Sequence, residues 1–414
     1  LSEDAYVMSD ETRKAVEENV FGIYDSTKYN DDSDEMPKME QDNGLQLADL
    51  TGKSYDDEDW NKLLDQLSFE DMSTLINVGG WQTAEIKSVG KVATSDCDGP
   101  AGLNNFITKT YGTAYPSEVL IAQTWNKDLA FNQGLQKRLK NFAERYPECC
   151  YLSNSTEVGD SMGQEYVDAD NFGWYGPAMN IHRSAFAGRN FEYYSEDGVL
   201  SGYMAANEMN GAAVKGVYPY IKHFALNDQE TNRCSFLLTF ASEQTIREGY
   251  LKAFELAVKG FEGNAMAAMS AFNWIGTVPS CANNGLLNNV LRGEWGFVGM
   301  VETDYDGSYG YMITDHCIRN GNDLMLGFNS AESNKLTDKS ATAVLAMRQA
   351  CKNILYTVAN SGYYADGNPA AGMSNMTKLF VTVDVILAVL LIAADAIVIV
   401  RFRKKRKNVD KAEA

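Results

Sequence analysis

With 414 residues and 45% hydrophobic content, the chain can bury a full core, and the roughly 300 residues between its ends suit one barrel-sized domain with appendages. A formal net charge of −20, concentrated toward the N-terminus as in DDSDEMPKMEQD, argues against nucleic-acid binding. The seven cysteines, at 97, 149, 150, 234, 281, 317 and 351, are odd in number and lack C-x-x-C spacing, which argues against a zinc site or a dense disulfide framework. Adjacent Cys149 and Cys150 could bridge only with strain.

The chain opens on Leu1 without a charged-then-apolar leader and reads as a fragment or processed product. Residues 1–58 are acidic and poor in periodic apolar positions, so they read as a partly ordered linker. The main domain is expected over 59–365. Leu63, Leu64, Leu67 and Met72 predict one or two short helices leading into Gly79-Gly80-Trp81. A strand expected at 91–95 delivers Asp98 in DGPAGL, 98–103. A carboxylate just past a strand can accept two hydrogen bonds from vicinal hydroxyls, or it can be a turn residue before Gly99-Pro100.

Helices are expected around 125–146, then a strand at 174–181 that opens NIHRSAFAGRNFEYYSED, 180–197. Arg183 and Arg189 lie in this glycine- and aromatic-rich stretch. Arginine is costly to bury alone, so they imply either a fixed network facing a ligand or internal salt bridges with Glu192, Glu196 or Asp197. The strand expected at 217–224 ends in Lys222 and His223, polar residues for which an apolar strand has no use. Successive strand residues point opposite ways, so the pair converges only if the strand breaks there.

An apolar stripe of Ile246, Tyr250, Phe254 and Ala257 predicts a covering helix over 242–259. The run 269–307, MSAFNWIGTVPSCANNGLLNNVLRGEWGFVGMVETDYDG, then reads as strand, turn, helix and strand. Its parts are a strand at 265–273 that includes Phe272, a plausible N-cap at Asn284, helical spacing of Leu286, Leu287, Val290 and Leu291, and a buried strand at 297–303. Asp304 ends that strand, where parallel barrels put their reacting groups. Glu302, two residues earlier on the same face, reads as structural. A last strand at 323–327 and a helix at 342–358 complete an α/β (β/α)8 TIM-type barrel, whether regular or irregular.

Residues 366–378 read as a linker and 379–400, LFVTVDVILAVLLIAADAIVIV, as a transmembrane helix, since about 22 residues at 1.5 Å each cross a hydrocarbon core of about 30 Å. Asp384 and Asp395 sit near its ends. The basic tail 401–414 is then cytoplasmic and the barrel extracellular, a single-pass arrangement at the cell membrane. Asn154-Ser-Thr and Asn375-Met-Thr are glycosylation sequons, relevant only in a secretory eukaryote.

Four blocks, DGPAGL, NIHRSAFAGRNFEYYSED, KHFALNDQETNR (222–233) and 269–307, resemble glycoside hydrolase family 3, the β-glucosidase and β-xylosidase group, in that family's order. The resemblance implies a retaining hydrolase of terminal β-linked sugars, with Asp304 as nucleophile and Asp98, Arg189, Lys222, His223 and Phe272 at the substrate sugar. Phe272 falls where many members have a tyrosine that hydrogen-bonds the nucleophile, and Asn104 where the family usually has arginine. The family's acid/base usually comes from a second α/β domain. No such domain follows this barrel, so the resemblance points to the reversed-domain-order subgroup, with the acid/base upstream of Leu1. A non-catalytic, membrane-tethered sugar-binding or sensing module is the alternative. Neither a metal nor an organic cofactor is indicated; the expected partners are a β-glucoside or related oligosaccharide, the membrane and the missing domain.

Overall fold

The computed structural model describes residues 8–20, 23–105, 109–130, 165–167, 169–307, 309–327 and 334–365. The chain divides into two compact units, Leu1–Pro369 and Ala370–Ala414, and the described residues all belong to the first. The expected linker, membrane span and tail, the Cys149–Cys150 pair, most of the expected 125–146 helices and both sequons lie outside the described residues. Among the described residues no helix is long and apolar enough to cross a membrane.

Among the described residues eleven strands follow in chain order: β1 Gln82–Thr83, β2 Thr94–Asp98, β3 Asn104–Asn105, β4 Thr110–Tyr111, β5 Gly173–Tyr175, β6 Tyr218–Phe224, β7 Leu238–Thr239, β8 Ala267–Ser270, β9 Trp274–Ile275, β10 Val278–Pro279 and β11 Met300–Glu302. Parallel staves run β2-β5-β6-β8-β11, with Cys97 opposite Trp174, Trp174 opposite Pro219, Ile221 opposite Ala268, and Ala268 opposite Val301. A parallel bridge from Glu302 to Leu324 adds the next stave. The ring then closes through the segment after the first helices: Met325 N–H donates to Ile76 O at 2.9 Å and Asp96 N–H to Trp81 O at 2.9 Å.

The barrel is therefore irregular rather than a regular (β/α)8, because β1 runs antiparallel to β2. Too few residues separate Thr83 from Thr94 for a parallel crossover of about a dozen or more. They fold instead into a tight turn, in which Ile86 and Lys91 exchange backbone hydrogen bonds around Gly90.

Helices cover the ring where the apolar periodicity predicts them. Phe69–Asn77 starts in a capping box made by Ser68 and Asp71, and Ala341–Ala359 is capped by Ser340. The expected covering helix is Glu243–Thr245, a wide turn at Ile246–Tyr250, and Lys252–Lys259. Helix Gly285–Glu294 buries Leu286, Leu287, Val290 and Leu291 as expected. Its cap differs, since Asn284 is already helical and Asn283 Oδ1 accepts the Leu286 N–H at 3.0 Å.

The lead-in also departs from expectation. Leu47 and Leu50, in the short turn Leu47–Leu50, are fully buried in the main core. Arg348 donates to Lys38 O at 2.9 Å and pairs with Asp65. Residues 23–58 are thus part of the globule rather than a linker, held by a few long-range contacts that no local periodicity marks.

Candidate active site

The ends of β2, β6 and β11 meet the loops that follow them around a cavity of about 490 Å³. Asp98 closes β2, and its Oδ2 accepts the Trp81 indole N–H at 2.8 Å. On β6 the pairing with β8 slips between Ile221 and Phe224, which breaks the strict alternation and lets Lys222 and His223 both face the cavity. Lys222, almost wholly buried, lies 3.3 Å from Glu192 and 3.8 Å from Asp98.

Arg189 is fixed by a fork on Glu192, with Nε donating at 2.7 Å and Nη2 at 2.8 Å. Although burial opposes it, Lys222 and Arg189 hold the Glu192 carboxyl below its ordinary value. The third arm of Arg189 reaches His223 Nε2 at 3.2 Å. Guanidinium can only donate, so Nε2 accepts and the ring proton sits on Nδ1, 3.4 Å from the Tyr193 hydroxyl. Burial, reinforced by Arg189, Lys222 and Arg233, holds the imidazole pKa well below its usual range. His223 is a neutral hydrogen-bonding group here.

Asp304 follows β11 after one intervening residue, Thr303. Its backbone N–H donates to Ser270 O at 3.0 Å, and its Oδ1 accepts the Tyr305 N–H at 2.7 Å. Oδ2, a buried atom, has no hydrogen-bond partner among the described residues and lies 3.8 Å from His223 Nε2. Burial pushes this carboxyl up to about 6, against the pull of Arg189 and Arg233.

The expected residues Asp98, Arg189, Lys222, His223 and Asp304 all line this one cavity. Phe272 does not. It is buried behind the wall, with the Arg233 guanidinium 4.7 Å from its ring centroid. Arg233, tied to Glu230 at 2.9 Å, takes the place on the wall. Arg233, Trp81 and Tyr305 were not singled out from sequence; an arginine inside a polar run and aromatics beside glycines look like ordinary loop residues. Arg183 is mostly exposed and pairs at 3.3 Å with Asp228, a partner outside the expected Glu192, Glu196 and Asp197. Glu302 is sealed in the barrel interior near the Tyr175 hydroxyl, and burial pushes its carboxyl well above the usual range. Among the described residues no group of three or more His, Cys, Asp or Glu side chains could hold a metal ion.

A model of the glycosyl hydrolase family 3 N-terminal domain matches residues 93–322. β-Glucosidase A of Butyrivibrio fibrisolvens is 37% identical over 277 residues, 64% of this chain and 29% of that protein. β-Glucosidase B of Emericella nidulans is 34% identical over 250 residues, 59% of this chain and 26% of that protein. Among solved structures, β-glucosidase 3B from Thermotoga neapolitana, in complex with α-D-glucose, superposes with a TM-score of 0.60 at 30% identity, covering 78% of this chain and 45% of that one. A β-glucosidase from Paenibacillus barengoltzii does so with a TM-score of 0.64 at 26% identity, covering 82% and 37%. The chain thus matches less than half the length of each of these relatives. With more than half of its own length matched by the family model, and the matching blocks gathered around one cavity, the chain belongs to glycosyl hydrolase family 3.

Proposed function

We propose that this chain carries the catalytic barrel of a retaining β-glycosidase that removes terminal β-linked glucosyl or closely related units. The observation that carries the reading is the unpartnered Oδ2 of Asp304, facing a cavity whose other walls, Asp98, Arg189, Lys222 and His223, suit sugar hydroxyls. The β-glucosidase names of the relatives support the choice of sugar. In the first step Asp304 Oδ2 bonds to the anomeric carbon as the bond to the leaving oxygen breaks, the electron pair departing with that oxygen. Water then attacks the same carbon, giving its proton to the group that protonated the leaving oxygen, and frees the carboxylate.

A second carboxyl about 5–5.5 Å away must protonate the leaving oxygen in such a mechanism. The described carboxyls around the cavity are committed elsewhere: Glu192 to Arg189 and Lys222, Glu230 to Arg233, Asp98 to Trp81. We therefore assign the proton donor to a second α/β domain, upstream in a reversed-order member of the family. We also assign residues 379–400 as a transmembrane anchor with the barrel outside and the basic tail inside. The full chain should then stay in membranes through a carbonate wash, and the chain ending at residue 378 should be released; equal release of both would remove the anchor.

A 2-deoxy-2-fluoro-β-glucosyl donor with a dinitrophenolate leaving group needs no proton donor. The expected outcome is a covalent glycosyl adduct on the peptide containing Asp304, found by mass spectrometry, and its loss in Asp304→Ala with sugar binding retained. The same commitment of carboxyls favours a second reading, a tethered sugar-binding module without turnover. A folded protein that binds sugar but forms no adduct, with the xylosyl analogue also failing, would support that reading instead.

A further inference from the structure

Five of the seven cysteines lie among the described residues, all as thiols. Three of them bond to groups of other kinds: Cys97 to the Asn105 side chain, Cys234 to Tyr309, and Cys351 to Met72 O at 3.9 Å. Cys281 and Cys317 instead hydrogen-bond each other. Cys281 sits in the short turn Ser280–Ala282 that follows β10, and Cys317 in helix Thr314–Arg319, on the connection that leaves Asp304. Both are fully buried in the main core. They are well apart in sequence, and helix Gly285–Glu294, β11 and Asp304 all lie between them.

A buried cysteine can serve as a small apolar side chain, but that role does not call for one sulfur to face another. A disulfide does, because its sulfurs must close to about 2 Å from positions already side by side. The Cys281 contact, and then burial, push the Cys317 thiol well above its usual range, so little of the reactive thiolate forms while the core is closed. Oxidation therefore belongs to folding, when the core is still open. With the barrel outside the membrane, as proposed above, the chain folds where disulfides are available for exchange.

We propose that Cys281 and Cys317 form a structural disulfide, made by exchange with a small-molecule disulfide of the glutathione type as the core closes. One cysteine thiolate attacks that disulfide, which gives a mixed disulfide and releases one small thiolate. The other cysteine thiolate then attacks the bonded protein sulfur and releases the second. The protons lost by the two cysteines end on the two small thiols, so the protein is oxidised and the small disulfide reduced. The new bond closes a loop that contains the strand and the carboxylate of the reacting group. Tyr311 lies near Cys281, and its hydroxyl donates to Phe272 O at 3.0 Å, so the same corner supports the ring beneath Arg233. The disulfide thus ties the connections after β8 and β11 together beside the cavity.

The test uses the full chain, held with glutathione disulfide in urea just below the unfolding midpoint and then returned to buffer. Free thiols are alkylated and the protein is digested with trypsin without reduction. Arg292 separates the two cysteines, so they leave on different peptides unless bonded. The expected result is one cross-linked species, lighter by two hydrogens than the two peptides together, which dithiothreitol splits only after the protein is unfolded. The ratio of folded to unfolded protein should be about a hundredfold higher for the oxidised than for the reduced form, the effect of constraining a loop of this length in the unfolded chain. That difference should vanish in Cys281→Ala and in Cys317→Ala, each compared with itself in oxidising and reducing buffer. Two alkylated peptides, either cysteine bonded elsewhere, or equal stability of the two forms of the parent overturns the disulfide. The placement of the barrel outside the membrane stands or falls separately, on the carbonate wash.

Discussion

Asp304 is asked to be charged where charge is least welcome. Burial lifts its pKa from an ordinary 3.8 to about 6, and Arg189 and Arg233 recover only part of the cost. Between those values the native protein holds a proton that the unfolded chain has lost, so stability falls as pH rises and the full penalty is present above about pH 6. Asp304→Asn keeps the shape without the charge. It should raise the unfolding free energy at pH 7 by up to about 3 kcal/mol, with the gain fading as pH drops and gone below about pH 4, while glycosyl transfer is abolished. Denaturant titrations at pH 4 and pH 7 check this; a variant less stable than the parent at pH 7 would mean that the carboxylate stabilises the fold. The same shift predicts that labelling of Asp304 by the activated donor rises with pH along a limb centred near pH 6. His223 supplies no competing step in that range, because burial, reinforced by its cationic neighbours, keeps it neutral.

At the scale of elements, two of the staves that bear the site were legible because each combines an apolar run with a polar end, Lys222 and His223 on β6 and Asp304 after β11, whereas β2, Thr94–Asp98, has no apolar run and was marked only by the glycine turn after Asp98. What escaped reading depended on partners distant in sequence. The expected strand at 91–95 lies three residues too early, since β2 carries Asp96 inside the ring, a residue that local pattern places in a loop. Its carboxyl is held there by the Tyr218 and Tyr220 hydroxyls, more than 120 residues on, which both donate to it. Antiparallel β1 was missed because Gly79-Gly80 reads as punctuation, although the residues around it close the barrel. Phe272 was placed on the sugar by analogy with a hydroxyl it lacks. As an apolar ring it turns inward instead and supports Arg233, the group that reaches the cavity. Pattern finds strand ends well, but it cannot say which of several nearby polar residues a loop will turn inward.

At the scale of the whole molecule, the lead-in raises the question of where the folding unit begins. Its sequence is acidic and aperiodic, yet it binds the barrel at separated points. Tyr24 donates to Asp315 at 2.6 Å, the Asp31 N–H to Thr342 at 2.8 Å, and Leu47 and Leu50 enter the core. If these contacts belong to the cooperative unit, truncating a buried leucine costs its transfer free energy plus a cavity, whereas an exposed residue of the preceding helix Asp10–Asn19, which has no buried residues, costs little. Leu50→Ala should therefore lower the global unfolding free energy by about 2–5 kcal/mol, and Lys14→Ala by less than about 0.5 kcal/mol. Chemical denaturation followed by tryptophan fluorescence reads both, since Trp60 is buried beside the same core cluster. An unchanged midpoint for Leu50→Ala would make the lead-in a tether that docks after the barrel has formed. The expected loss would make it a strap without which the barrel is not stable, and would move the start of the folding unit from residue 59 to the residues before Leu47.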